Sequence, residues 1–251
     1  MALTIAGFDP SGGAGILADV RTFAAFACRP AAAITSLTFQ SQKRVAGAEH
    51  QSPQVVASQV RSIIEQHSIA GAKTGMMPTA EIVRMVADLF RTAALPAPIV
   101  DPVMQSTSGF PLMETGALPA IISELFPIAR LVTPNIPEAE AIIGRTVTTE
   151  AGMLEAARAI RALGARAVLI KGGHLMLPQN ERGGFAAVDV LDDQGRVQIY
   201  RSDWIDGRSV RGTGCMLSAA IAAGKAHGHA LSEAVENARR FVADAIRAAL
   251  D

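Results

Sequence analysis

The sequence predicts an α/β fold, a mainly parallel sheet with helices on both faces. Three observations carry this. Short apolar runs alternate with helical ones along the chain. Hydrophobic residues make up 49% of the 251 positions and charged residues 18%, as expected of buried strands covered by Ala-rich helices. Polar, glycine-rich stretches recur where apolar runs end, the edge at which parallel sheets bind ligands.

The elements follow in order. Residues 3–6 form a buried strand. Residues 14–27 form a helix with Ile16, Leu17, Val20 and Phe23 on one face. A second strand covers 31–39. Ser52 caps a helix over 53–67, with Pro53 in its first position. Residues 70–74 are strand-like and 81–90 helical. The buried strand 98–102 brings Asp101 to the end of its apolar run. Then come a helix at 115–125, a strand at 129–133, short and longer helices at 138–143 and 150–163, and a strand at 167–170. From 185 to 200 the pattern becomes a hairpin turning at 193–195. Helices over 214–227 and 231–250 follow. No linker, low-complexity tract or internal repeat interrupts the pattern, so residues 1–251 read as one domain.

Composition removes several classes. Lys+Arg and Asp+Glu are each 23, and no basic run occurs, so no nucleic-acid partner is expected. No apolar stretch approaches the ~20 residues of a membrane span. No basic stretch leads into an apolar run at the start, so no secretory signal is expected and the location reads as cytoplasmic. The two cysteines, Cys28 and Cys215, lack CxxC spacing, which argues against structural zinc and a disulfide framework. Cys28 reads as a small buried hydrophobe.

Cys215 lies in Arg211-Gly212-Thr213-Gly214-Cys215, a glycine turn before an apolar helix. Free N–H groups at a helix start attract anions, and glycines let the backbone approach a phosphate. A thiol there is expected to have a lowered pKa and to serve as base or nucleophile. The same stretch also fits a simple tight turn.

The loop Asp9-Pro10-Ser11-Gly12-Gly13-Ala14-Gly15 satisfies neither the dinucleotide nor the Walker A pattern. It reads as a turn or as a backbone wall for a small ligand. Asp19, one turn into the next helix, faces either that pocket or solvent. Asp101 and Glu138 are the best paired carboxylates for Mg²⁺, and both also fit capping roles. Lys171 opens Lys171-Gly172-Gly173-His174 and suits a phosphate, or is a solvated strand-end lysine. His174 reads as a loop residue, and His227 and His229 as surface residues.

Five linked stretches, 6–19, 101–104, 133–140, 170–174 and 212–215, together resemble the hydroxymethylpyrimidine/phosphomethylpyrimidine kinases, members of the ribokinase-like superfamily. In this chain they include Ala6-Gly7-Phe8-Asp9-Pro10, Asp101-Pro102-Val103-Met104, Thr133-Pro134-Asn135, Ile170-Lys171-Gly172 and Gly212-Thr213-Gly214-Cys215. The resemblance implies a three-layer α/β/α sandwich and ATP-dependent phosphorylation of a hydroxymethylpyrimidine, of its monophosphate, or of both. It implies a substrate pocket of Gln40, Ala14 and Asp19, with Cys215 as activating base and Gly212, Thr213 and Gly214 as anion hole. Asn135 and Glu138 would serve Mg²⁺ and phosphate, with Asp101 adding charge and Lys171 near the nucleotide. A homodimer is usual for the resemblance.

The chain departs from that pattern at Thr107, where a lysine is common, and at Arg211, where histidine is common. Ser41-Gln42 and Phe8 are further departures. Arg211 is expected beside phosphate and suits an already phosphorylated substrate. A pyridoxal kinase and a catalytically weakened pyrimidine-binding protein are the alternatives.

Overall fold

The computed structural model describes residues 1–41, 44–106, 108–173, 177–178, 185–205 and 210–250. Thr107 and His174 lie outside them.

In chain order the elements are β1 (Ala2–Phe8), α1 (Gly15–Ala25), β2 (Pro30–Gln40), β3 (Val45–His50), α2 (Pro53–Ile64), β4 (Gly71–Thr74) and α3 (Ala80–Thr92). There follow β5 (Ile99–Val100), α4 (Ala117–Ala120), β6 (Leu131–Val132), α5 (Ile136–Ile143), α6 (Glu150–Ala162), β7 (Ala167–Ile170) and β8 (Leu177–Pro178). Last come β9 (Phe185–Asp193), β10 (Arg196–Asp203), α7 (Thr213–Ala226) and α8 (Leu231–Ala248).

The strands form one sheet in the order β10-β9-β7-β6-β5-β4-β1-β2-β3, with β8 against β9. The run from β7 to β2 is parallel, while β3, β8, β9 and β10 pair antiparallel. After β1 the chain steps outward to β2, then returns to β4 on the other side of β1. This reversal opens a crevice at the carboxyl edge between β1 and β4, where open α/β sheets bind ligands.

The strands read as unbroken apolar runs because both faces are covered. Alternate residues serve opposite layers. Val100, Val132, Val168 and Ile170 pack with α2, α3, α5 and α6. Ile99, Leu131, Ala167 and Leu169 pack with α1, α7 and α8. The result is the expected three-layer sandwich. No helix among the described residues is long and apolar enough to cross a membrane.

Three local features add to or alter the expectations. Residues 45–50 form the edge strand β3, which their weak alternation did not announce. The helix expected over 115–125 is the short α4 followed by a wider π-type turn, Ile121–Leu125. Pro127 sits just beyond, in a tight turn. His227 is exposed as expected, but its ring nitrogen lies 3.3 Å from the Cys28 sulfur. Cys28 is buried.

Candidate active site

Two helix starts face each other across the crevice. Neither α1 nor α7 has a side-chain cap, so each presents bare N–H groups. Their turns touch at Gly212, which adopts φ 75°. A Cβ there would lie 2.3 Å from the Gly13 carbonyl and 3.0 Å from the Ala14 Cα. The glycine turn is therefore the contact between the two loops as well as a bend. Asp9 shapes the first loop by accepting from Ser11 N–H at 2.9 Å and Ala14 N–H at 3.0 Å.

Below the start of α7 is a charged cluster. Lys171 Nζ donates to Asp101 Oδ1 at 2.9 Å and lies 3.8 Å from Glu138 Oε2. Thr133 and Ser218 each donate to Asp101 at 3.2 Å. A Cβ on Gly214 would lie 3.2 Å from Lys171 Nζ, so the lysine sits directly under the turn. Burial opposes ionisation of Asp101, but Lys171 and Lys73 hold its carboxyl below the usual range. Burial pushes Glu138 up to about 7, against the pull of Lys171.

Asn135 and Glu138 form a reciprocal cap on α5. Glu138 N–H donates to Asn135 Oδ1 at 2.8 Å, and Asn135 N–H to Glu138 Oε2 at 2.7 Å. The capping role left open in the sequence is thus present, and it fixes Glu138 beside Lys171. Lys171 arrives there because its backbone continues the sheet, donating to the Pro134 carbonyl at 2.9 Å.

Cys215 lies in the first turn of α7, but its thiol does not have the lowered pKa expected of that position. Burial pushes it up to about 11, and the negative charges of Asp19 and Asp101 add to the effect. Lys73 and the Gly15 N–H oppose them without prevailing. A helix start lowers a thiol pKa only while it outweighs lost hydration.

Asp19 does not face solvent. Its carboxylate is fully buried, accepts from Thr4 Oγ1 at 2.6 Å, and has Lys73 Nζ 3.0 Å from each oxygen. Lys73 was missed in the sequence, although it is the one charge between Ser68 and Ala80. Ser218 was missed as well.

The structure brings Arg211 to the first loop. Its guanidinium donates to the Ser41 carbonyl at 2.9 Å and to Ser11 Oγ at 3.3 Å, and lies 3.6 Å from Asp9 Oδ2. Gln40 stands at the end of β2, accepting from Thr38 at 3.1 Å, one residue from the carbonyl that Arg211 holds. A cleft of about 450 Å³ opens outside the turn, lined by residues including Gly13, Arg21, Arg211, Met216 and Phe241. It shares the wall at Gly13 but none of the charged cluster.

Similar solved structures include phosphomethylpyrimidine kinase from Clostridium difficile, with TM-score 0.83, 35% identity and 98% of each chain covered. Pyridoxal kinase from Staphylococcus aureus, in complex with AMP-PCP and pyridoxal, gives TM-score 0.86 and 30% identity, covering 98% of this chain and 87% of that one. Fold and crevice together define a ribokinase-like α/β kinase. Among sequences, hydroxymethylpyrimidine/phosphomethylpyrimidine kinase from Rhizobium meliloti is 41% identical over 250 residues, 99% of this chain and 91% of that protein. The profile of the family described as phosphomethylpyrimidine kinase matches residues 9–251, and the chain belongs to that family.

Proposed function

We propose that the protein transfers the terminal phosphoryl group of ATP to hydroxymethylpyrimidine, to its monophosphate, or to both, as a step of thiamine biosynthesis. The observation that carries this is the contact of Gly212 with Gly13, which sets the uncapped start of α1 against that of α7, itself over the Lys171–Asp101 cluster. Phosphoryl transfer asks mainly for alignment and for fixed positive charge around the moving group. The N–H groups of Thr213 and Gly214 supply dipoles, and Lys171 supplies full charge.

Cys215 accepts the hydroxyl proton in the first transfer. Its raised pKa makes the thiolate scarce but more basic, and a loose transfer needs the proton removed late. The monophosphate attacks through an oxygen already ionised and needs that base less. The amide of Gln40 offers donor and acceptor side by side to an aminopyrimidine, with Ala14 and the first loop as the opposite wall.

Mg²⁺ fits as an ion that keeps its waters and shares phosphate oxygens. Among the described residues no group of three or more His, Cys, Asp or Glu side chains could hold a metal, whereas Asp101 and Glu138 present two carboxylates beside the phosphate-facing turn. Bound there, it supplies positive charge against the phosphate oxygens.

Both cysteines are free, which suits a reducing cytoplasm. Leu37 and Phe39, exposed on one face of β2, suit a second copy in a homodimer.

Steady-state ATP consumption with the pyrimidine alcohol, its monophosphate and pyridoxal, with and without Mg²⁺, tests the reading. No pyrimidine-dependent turnover would sink it. The likeness to pyridoxal kinases favours pyridoxal phosphorylation as the second reading, and a higher kcat/KM for pyridoxal would establish it.

A further inference from the structure

Beneath Cys215 lies an ion pair for which the phosphoryl-transfer reading has no use. Lys73 Nζ and the Asp19 carboxylate meet at 3.0 Å with no solvent exposure on either side chain. Burying two charges costs much of what their attraction returns, so such a pair is weak evidence of a stabilising role.

The pair's position suggests another. Gly71, Lys73 and Gly75 share one face of β4. A Cβ on Gly71 would lie 2.3 Å from the Ala222 carbonyl, so α7 rests on that face. The start of α7 is at the carboxyl edge of the sheet, so the helix runs antiparallel to β4. Lys73, two residues nearer the edge than Gly71, therefore lies under the first turns of α7. Its Nζ is 3.3 Å from a Cβ built on Gly75. From the other side the Gly15 N–H faces the Cys215 sulfur and favours its thiolate, and Asp19 follows one turn later on α1. The thiol is thus enclosed between α1 and the Lys73 ammonium. Asp101 after β5 and Lys171 after β7 are the other charges acting on it, and they are paired with each other at 2.9 Å.

We propose that Lys73 and Asp19 are positioning residues that set the ionisation of Cys215, Lys73 holding the thiolate and Asp19 restraining it. Burial alone would pull the Lys73 ammonium down. Asp19, followed by Cys215 and Asp101, restores it to above its ordinary value, so in the parent protein Lys73 is a cation. The thiol feels it as the leading influence against burial. The inference rests on Cys215 as proton acceptor in the proposed reaction.

The test is the pH–rate profile of iodoacetamide alkylation at Cys215, read by mass spectrometry in a Cys28→Ala background. Asp19→Asn removes a negative charge that raises the thiol, while Asp101 and the thiolate itself still favour the Lys73 ammonium, and is expected to speed alkylation at pH 8 by about threefold or more. Lys73→Met is expected to slow it by about as much, and Lys73→Arg to stay within about twofold of the parent. Loosened packing would move both charge-removing variants the same way. Rates that do not move, or that move together, overturn the proposal.

If neither charge-removing variant folds, Thr4→Val decides. It removes a hydrogen bond at 2.6 Å that favours the ionised form of Asp19; faster alkylation supports the proposal, and an unchanged or slower rate overturns it. Alkylation reads the thiol without turnover, so its failure and failure of the kinase assay are separate results.

Discussion

Lys171 Nζ lies 2.9 Å from Asp101 Oδ1, although the strands that deliver them, β7 and β5, are not neighbours. The contact passes over the end of β6, whose following residue Thr133 donates to the same oxygen at 3.2 Å. Three strand ends are thereby tied together under the glycine turn. Lys171→Met leaves a buried carboxylate without its cation. It should cost about 3 kcal/mol of stability in urea unfolding and lower kcat by roughly 100-fold. Lost stability with unchanged kcat would make the lysine purely structural.

Cys215→Ala separates the two transfers. The alcohol step is expected to lose about 100-fold or more in kcat/KM, and the monophosphate step much less. In the parent enzyme the alcohol step should also rise with pH toward the thiol pKa of about 11. Equal losses on both substrates would show that Cys215 is not the base.

Glu138 gives a stability slope with a definite sign. Its pKa is raised from 4.5 to about 7 in the folded protein. Between those values the native state holds a proton that the unfolded chain has released. The associated stability is full below 4.5, falls as pH rises, and is gone above about 7. The size is on the order of 3 kcal/mol. Thermal unfolding in EDTA at several pH values, parent against Glu138→Gln, checks it. The variant should lack this part of the slope.

Gly212→Ala tests the contact between the helix starts. The new methyl would be held at φ 75° and 2.3 Å from the Gly13 carbonyl. The left-handed conformation alone costs about 1–2 kcal/mol, and the clash must part the loops. Activity should fall by roughly 100-fold or more, with a lower Tm. An active, stable variant would mean that the loops separate without consequence.

Arg211→His tests substrate preference. Arg211 already ties the first loop to Ser41, on the side where Gln40 stands. If its remaining donors meet the substrate phosphate, the variant should lose about tenfold more kcat/KM on the monophosphate than on the alcohol. An equal change on both would leave Arg211 as a loop tie alone.

The layered fold was legible because strands buried on both faces leave unbroken apolar runs, as in 99–100 and 167–170. The site was legible in part. Asp101 and Lys171 announce themselves as polar residues at the ends of such runs, and the 212–215 turn as glycines before an apolar helix. The ionisation of Cys215 was not legible, because a helix start is visible in sequence while the depth of burial beneath it is not. Lys73 was passed over inside a strand, although a lone charge there can survive only with a partner. That partner, Asp19, stayed open between the pocket and solvent because α7, which helps cover α1, lies almost 200 positions later in the chain. Asn135 and Glu138 show the converse, since one pair of residues caps a helix and also borders the site.

The touching backbones of Gly13 and Gly212 set a timing for the molecule. One belongs to the first loop of the chain and the other to its penultimate helix, so the cradle between them is absent until nearly the whole sheet has been assembled. A partly folded chain lacks that cradle. Any ligand that does bind there favours the completed fold over every incomplete one, so the small molecule the protein acts on also guards its integrity.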